Sequence, residues 1–268
     1  REKEIIKGVD IMSIKEKYDL SGKVAIITGA GDGIGKASAL KLAEAGAYVV
    51  CSDLNEEKAN LTAEEAKKFG VEAIGVKCNV LQEEDLNYLV DTTVKTFGKV
   101  NILVNNAGGG GAGRESIESL TLEYITKTYT LNLFSGLILT KLCAPHMKAD
   151  SYGSIINISS MSANMVSHNM IIYGSSKAAV NQATKYAAYD LGPEIRVNAI
   201  GPGAIKTHAL GTVLTPEIEA KMLAKTPLKR LGDVEDISMA VLYFASPASA
   251  WTSGQVIYVN GGGTQELD

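Results

Sequence analysis

The run Val24-Ala-Ile-Ile-Thr28-Gly29-Ala30-Gly31-Asp32-Gly33-Ile34-Gly35 passes from an apolar strand, through a glycine-rich turn, into a helix. Its first part has no polar alternation, which is the habit of a strand covered on both faces in a parallel sheet. The turn presents backbone N–H groups and a helix N-terminus with few Cβ atoms in the way, a surface that suits a pyrophosphate. The form is T-G-x-x-x-G-x-G, not the strict G-x-G-x-x-G, and a glycine turn alone could be only a tight connection. The strand before it and the helix after it favour the phosphate reading, with Gly29, Asp32, Gly33, Ile34 and Gly35 against a dinucleotide.

The same alternation continues outward in the chain. Residues 24–28, 47–52, 73–77, 102–104, 154–158, 196–200 and 256–259 read as strands. Residues 34–45, 56–69, 83–97, 122–147, 173–191 and 234–245 read as helices. Gly46, Gly70, Gly98 and Gly192 follow four of these, where left-handed C-caps are expected. Short links between strand and helix predict right-handed crossovers and an α/β, doubly wound, Rossmann-type parallel sheet. The expected layout is an N-terminal extension over 1–19 and one oxidoreductase domain over 20–268. Met12-Ser13 reads as a more natural start than Arg1, and residues 1–11 are assigned no function. The glycine cluster at 108–113 reads as a loop beside a ligand. The stretch 201–227 interrupts the alternation beyond a strand's C-terminal end, so its part from about residue 205 is expected to form a substrate lid.

Bulk properties narrow the class. At 268 residues, with 46% hydrophobic and 21% charged residues, the chain can bury a large core without disulfides or metals. A net charge of −4 offers no attraction to nucleic acid or an anionic membrane. Cys51, Cys78 and Cys143 have no C-x-x-C spacing and read as core residues in a reducing compartment. His146, His168 and His208 lack metal-ligand spacing, so no catalytic metal is expected. No stretch reaches the roughly 18 apolar residues of a membrane span. No signal-peptide core follows the charged N-terminus, and a cytoplasmic protein is the expectation.

The second strand ends at Asp53, eighteen residues after Gly35. A carboxylate there can accept both ribose hydroxyls of an adenosine and repel a 2′-phosphate. It could instead be an acid at a helix N-terminus, since Glu56 and Glu57 follow. Asp32 adds a second negative charge and no Arg or Lys lies immediately beside Asp53, so NAD is favoured over NADP.

Tyr173 and Lys177 are four residues apart at the start of a helical pattern and share a face. A phenol with an ordinary pKa of about 10 is a poor base near neutrality. An ammonium one turn away, together with an oxidised nicotinamide, is expected to favour the phenolate and lower that pKa. The pair opens the helix after strand 154–158, which runs into Ser159-Ser160. Ser160, thirteen residues before Tyr173, is placed to hydrogen-bond a substrate oxygen, while Ser159 is read as a strand-end cap. Asn132 interrupts a long helical pattern in which asparagine is a poor former. It is either solvent-facing or, beside Leu131, Leu133 and Phe134, half buried and in need of a partner.

Together the glycine turn, Asn105-Asn106-Ala107-Gly108, Asn132, Ser160, Tyr173-x-x-x-Lys177 and Pro202-Gly203 make residues 20–263 resemble the short-chain dehydrogenase/reductase family. The resemblance implies a sheet of about seven parallel strands and a homotetramer. It also implies roles for particular residues. Ser160 would hold the substrate oxygen and Tyr173 exchange the proton. Lys177 would bind the nicotinamide ribose and tune Tyr173, and Asn132 would hold a water that relays protons to Lys177. Cofactor contacts are implied at Asp53, Leu54, Asn79, Val80, Asn106, Ala107, Gly108, Tyr173, Lys177, Pro202 and Gly203, with Ile205 and Thr207 at the carboxamide. Asn79 departs from the family, which usually has Asp against the adenine amino group, though its amide oxygen can still accept that bond.

Within the family the chain is similar to bacterial NAD-dependent 7α-hydroxysteroid dehydrogenases, in 105–111, 202–205, Thr215-Pro-Glu-Ile-Glu219, Lys221-Met-Leu223 and the tail 261–268. That similarity implies oxidation of the 7α-hydroxyl of a bile acid or other steroid, with Gly110 along the steroid. Ala209, Leu210, Val213, Leu214, Met222 and Leu223 could cover an apolar polycycle or face the core. The loop 161–170 departs, with Met165 where a polar substrate contact is expected. The competing readings are a dehydrogenase of polyols, sugars or ketoacyl thioesters, and a dinucleotide sensor without turnover. The joint presence of Asn132, Ser160, Tyr173 and Lys177 argues against the sensor.

Overall fold

Strands β1 (Val24–Thr28), β2 (Tyr48–Asp53), β3 (Ala73–Lys77), β4 (Ile102–Asn105), β5 (Gly153–Ile158), β6 (Ile195–Pro202) and β7 (Val256–Val259) form one parallel sheet. Their order is β3-β2-β1-β4-β5-β6-β7, so the winding reverses between β1 and β4. A crevice therefore opens at the carboxyl ends of these two strands, where ligands bind in such sheets. The computed structural model describes residues 12–110, 115–211 and 214–263. Residues 1–11, Gly111 and Gly113 of the glycine cluster, Val213 and the side chain of Ala209 in the lid, and the tail after Gly263 lie outside that description.

Residues of the central strands feed two cores, one on each face, which is why those strands lack polar alternation. Ala25, Ile27, Val49, Cys51 and Val104 pack on one face, against helices α2 (Gly33–Glu44), α3 (Glu56–Lys67) and α10 (Val234–Ala245). Ile26, Val50, Leu103, Ile155 and Val197 pack on the other, against α4 (Glu83–Phe97) and α6 (Ser135–Ala149). The short helix α1 (Ile14–Tyr18) packs against the turn Pro247–Ser249. All three cysteines are free and buried, as core residues. Among the described residues no helix is long and apolar enough to cross a membrane.

Two readings need correction. The helix expected over 122–147 is α5 (Leu122–Tyr129), a π-helical turn Thr130–Phe134, and then α6. Gly46, Gly70 and Gly98 have φ of +97°, +82° and +77°, as left-handed caps require, but Gly192 has φ −68° and ψ 156°. Pro193 follows it, and a residue before proline is pushed to extended backbone. The interrupting segment contains helices α8 (His208–Gly211) and α9 (Pro216–Ala224), the latter capped by Thr215. The remaining helix, α7 (Ile171–Leu191), begins two residues before Tyr173.

Candidate active site

The nucleotide end is shaped by main chain. Gly29 and Gly33 have φ of +63° and +55°. A Cβ on Gly35 would stand 2.1 Å from the Gly29 carbonyl oxygen, so the first turn of α2 sits on the turn only because this residue has no side chain. The end of β4 closes the other wall. Asn106 Nδ2 donates to the carbonyls of Thr28 (2.8 Å) and Gly29 (3.2 Å), and the N–H groups of Asn106 and Ala107 each donate to Thr28 Oγ1 at 3.0 Å. Asn106 thus ties β1 to β4 across the switch point.

Asp53 is anchored rather than loose, because Oδ2 accepts from Gly31 N–H and Oδ1 from Asn55 N–H, both at 2.9 Å. Asn55, not Asp53, caps α3. A Cβ on Gly31 would meet the Asp53 carboxylate at 2.8 Å, so the carboxylate lies directly beside the turn. Leu54 next to it is exposed. Lys58, in the first turn of α3, stands 3.3 Å from Asp32 Oδ2, brought there by the helix rather than by sequence adjacency. Asp32 itself caps α2 through Gly33 N–H at 2.7 Å. Asn79 Oδ1 accepts from Leu81 N–H at 3.1 Å, and Val80 beside it is buried. On the far side, Gly203 continues β6 through an N–H bond to Val259, Ile205 is buried, and Thr207 faces Gly33, whose Cβ would stand 3.4 Å from its methyl.

At the catalytic end, α7 carries Tyr173 and Lys177 against the end of β5. Lys177 is buried and its Nζ donates to Ile158 O at 2.9 Å. Ser160 caps the short turn Met161–Ala163 through Ser162 N–H at 3.1 Å, and its hydroxyl also hydrogen-bonds Tyr173. Ser159 does not serve as the cap expected of it. Its hydroxyl donates to the main-chain Lys177 O at 3.2 Å, while Ser160 takes the phenol. Asn132 is buried in the π turn, a geometry that inserts an extra residue and concentrates at functional sites. Its Oδ1 accepts from Gly109 N–H (2.9 Å), and its Nδ2 donates to Gly109 O and Ser176 Oγ, both 3.0 Å. Gly108 lies so close that a Cβ would stand 3.0 Å from Asn132 Oδ1 and 3.1 Å from Lys177 Nζ. Gly110 has φ +113° and packs toward Thr128 and Tyr124 of α5.

The chain's own groups set the electrostatics here. Burial holds the Tyr173 phenol above its ordinary value, a hydrogen bond from Ser160 pulls it down, and the Glu115 carboxylate pushes it up. Lys177 Nζ lies 5.8 Å from the centre of the Tyr173 ring and is itself brought down to about 8 by burial. From the chain's own groups alone, the phenol is therefore held above its ordinary value, with desolvation as the largest cause.

Three contributors had escaped the sequence reading. Ser176 links Asn132 to the main chain of Tyr173 (Oγ to O, 2.7 Å), and its place three residues after Tyr173 was a usable signal. Lys58 is the second. Glu115, buried and bonded to the first turn of α7, is the third, and no local pattern marks it.

The arrangement brings a hydroxyl, a phenol, a lysine and a clamped glycine loop to the strand ends beside a dinucleotide-shaped turn. Residues 29–264 match the family model described as enoyl-(acyl carrier protein) reductase. The 7α-hydroxysteroid dehydrogenase of Escherichia coli strain K12 is 48% identical over 250 residues, which is 93% of this chain and 97% of that protein. The 7α-hydroxysteroid dehydrogenase of Bacteroides fragilis is 34% identical, over 90% of this chain and 93% of that protein. A solved structure of a 7α-hydroxysteroid dehydrogenase complexed with NADH and 7-oxo glycochenodeoxycholic acid has a TM-score of 0.92 at 46% identity, covering 96% of this chain and 100% of that one. Fold, site and near-full-length identity agree: the chain belongs to the short-chain dehydrogenase/reductase family.

Proposed function

We propose that this chain is an NAD-dependent 7α-hydroxysteroid dehydrogenase, which oxidises the 7α-hydroxyl of bile acids to a ketone and can run in reverse. The observation that carries the reading is 46% identity along nearly the whole chain to a 7α-hydroxysteroid dehydrogenase solved with NADH and a 7-oxo bile acid. The nucleotide end independently fits a dinucleotide. Side chains are excluded where a pyrophosphate would lie, and an anchored carboxylate stands where an adenosine ribose would lie. Asp53 and Asp32 place two carboxylates at that corner, with Lys58 paired to Asp32, and the anchored Asp53 carboxylate disfavours a 2′-phosphate.

Gly29, Asp32, Gly33, Ile34 and Gly35 would hold the pyrophosphate, and Asp53, Leu54, Asn79 and Val80 the adenosine. Asn106, Ala107, Gly108, Pro202, Gly203, Ile205 and Thr207 would line the nicotinamide half. When bound, NAD supplies the hydride acceptor. Ser160 holds the substrate oxygen and Tyr173 takes its proton, or returns one to the carbonyl in reverse. Lys177 binds the nicotinamide ribose and, with the oxidised ring's charge added, favours the phenolate that burial alone opposes. Both Nδ2 hydrogens of Asn132 are engaged, so its carbonyl side is what remains to hold a relay water. Gly110 lies along the steroid, and half-buried Leu210, Leu214 and Leu223 line its apolar cover, whereas Met222 is buried and belongs to the core.

We also expect a homotetramer. Phe134 and Leu137 near the start of α6 and Tyr186 and Tyr189 on α7 are exposed apolar side chains that association would cover. The three buried free thiols support a reducing, cytoplasmic location. The test is a panel of 7α-hydroxy bile acids, polyols, sugars and acyl thioesters with NAD and NADP in parallel. Turnover of bile acids with NAD is expected; turnover of another class without them would overturn the reading.

A further inference from the structure

Helix α7 begins without a side-chain cap of its own, since Met170 at its N-cap makes none. The missing acceptor comes from another segment. Glu115, in the loop after β4, is 3% exposed, and its Oε2 accepts from the N–H groups of Ile172 and Tyr173, both at 2.8 Å. Its Oε1 accepts from Tyr124 Oη on α5 at 2.6 Å. Its own N–H donates to Asn169 O at 2.9 Å, and Glu115 pairs with Met170 in an isolated bridge. One buried carboxylate thus joins the glycine loop, α5 and the first turn of α7, on the residue that carries the phenol.

We propose that Glu115 is a positioning residue for Tyr173, closing the first turn of α7 from the opposite loop and setting a fixed negative charge that governs when the phenol releases its proton. A carboxylate at a helix N-terminus is stabilised by the dipole and the free N–H donors there. The same charge opposes a second negative charge on the phenolate, and it is one of the influences that hold Tyr173 above its ordinary value. Among the described residues, the other titratable groups nearest in the chain elements around Tyr173 are Glu123, Tyr124, Lys127 and Tyr129 on α5, His168 before α7, and Lys177 one turn on. Of these, Tyr124 touches the carboxylate itself. Glu115 therefore biases the resting site toward a protonated phenol, the form that serves carbonyl reduction.

The inference rests on the dehydrogenase reading, so its test has a readout that needs no substrate. In Glu115→Gln the cap's shape is kept and the charge removed. The phenolate titration of Tyr173, identified by its absence in Tyr173→Phe, is expected to move down by about one pH unit, and the acid limb of kcat/KM for oxidation to move with it. Tyr124→Phe keeps the charge, removes a donor to it, and is expected to move both upward; this half-buried, single-hydroxyl change guards against a Glu115 variant that does not fold. A merely structural role would lower activity at every pH and leave both titrations in place, which would overturn the proposal. A shifted titration without bile-acid turnover would instead uphold Glu115 and contradict the substrate assignment.

Discussion

At the nucleotide end, the turn after β1 is shaped by glycine backbone and by the neighbouring strand end, through Asn106 and Thr28. At the catalytic end, four separate segments each send side chains to one point: Glu115 after β4, Asn132 in the π turn, Ser160 after β5, and Tyr173 and Lys177 on α7. The first end is a shape from which side chains are excluded. The second is a network of buried polar groups, and such networks respond as a unit when one member changes. The two ends should therefore fail differently.

The largest effect is expected at the catalytic end. Tyr173→Phe should lower kcat for bile-acid oxidation by about a thousandfold, the range of a lost general base. NADH binding, followed by fluorescence titration, should change little, because the glycine turn is untouched. Parallel loss of both would break the distinction between the ends.

Gly35→Ala should do the opposite. Its Cβ would meet the Gly29 carbonyl at 2.1 Å, a main-chain atom that cannot swing aside. An expected loss of roughly 2–3 kcal/mol of stability comes with NADH binding weakened by about tenfold or more, read by thermal denaturation and titration.

The smallest effect concerns Lys177, buried and held down to about 8. Because its folded value lies below the ordinary lysine value, the unfolded chain binds more protons between the two. Its burial thus penalises the fold fully below about pH 8, and the penalty fades as pH rises toward about 10.5. Lys177→Met should raise stability near neutral pH by about 1–3 kcal/mol, with the gain shrinking at alkaline pH. A loss of stability at pH 7 would show that the bond to Ile158 O outweighs desolvation.

These contrasts also explain what could be read from residues alone. The seven strands were legible because burial on both faces leaves continuous apolar runs, and the seven observed strands overlap those runs. The glycine turn was legible because its chemistry is local. The π turn was not, since one extra residue in a helical turn leaves no mark on composition, and it surfaced only as an asparagine in an awkward place. Which of Ser159 and Ser160 reaches the Tyr173 phenol depends on strand phase at the strand's end, which two adjacent serines cannot reveal. Lys58 reaches Asp32 across 26 residues, and Glu115 reaches α7 across 57 and 58, so both contacts exist only after folding. The burial that raises Tyr173 was not legible either, because desolvation is a property of the packed site, not of a four-residue spacing.

The central claim is that the catalytic end presents Ser160 and Tyr173 to one particular steroid hydroxyl while the nucleotide end holds NAD. The most direct measurement is the initial rate of NADH formation by the purified protein from a 7α-hydroxy bile acid and from its 7β epimer. A preference of about a hundredfold or more for the 7α epimer is expected, as for a site built around the position of one hydroxyl. Equal rates with both epimers, or none with either while another alcohol is oxidised, would contradict it.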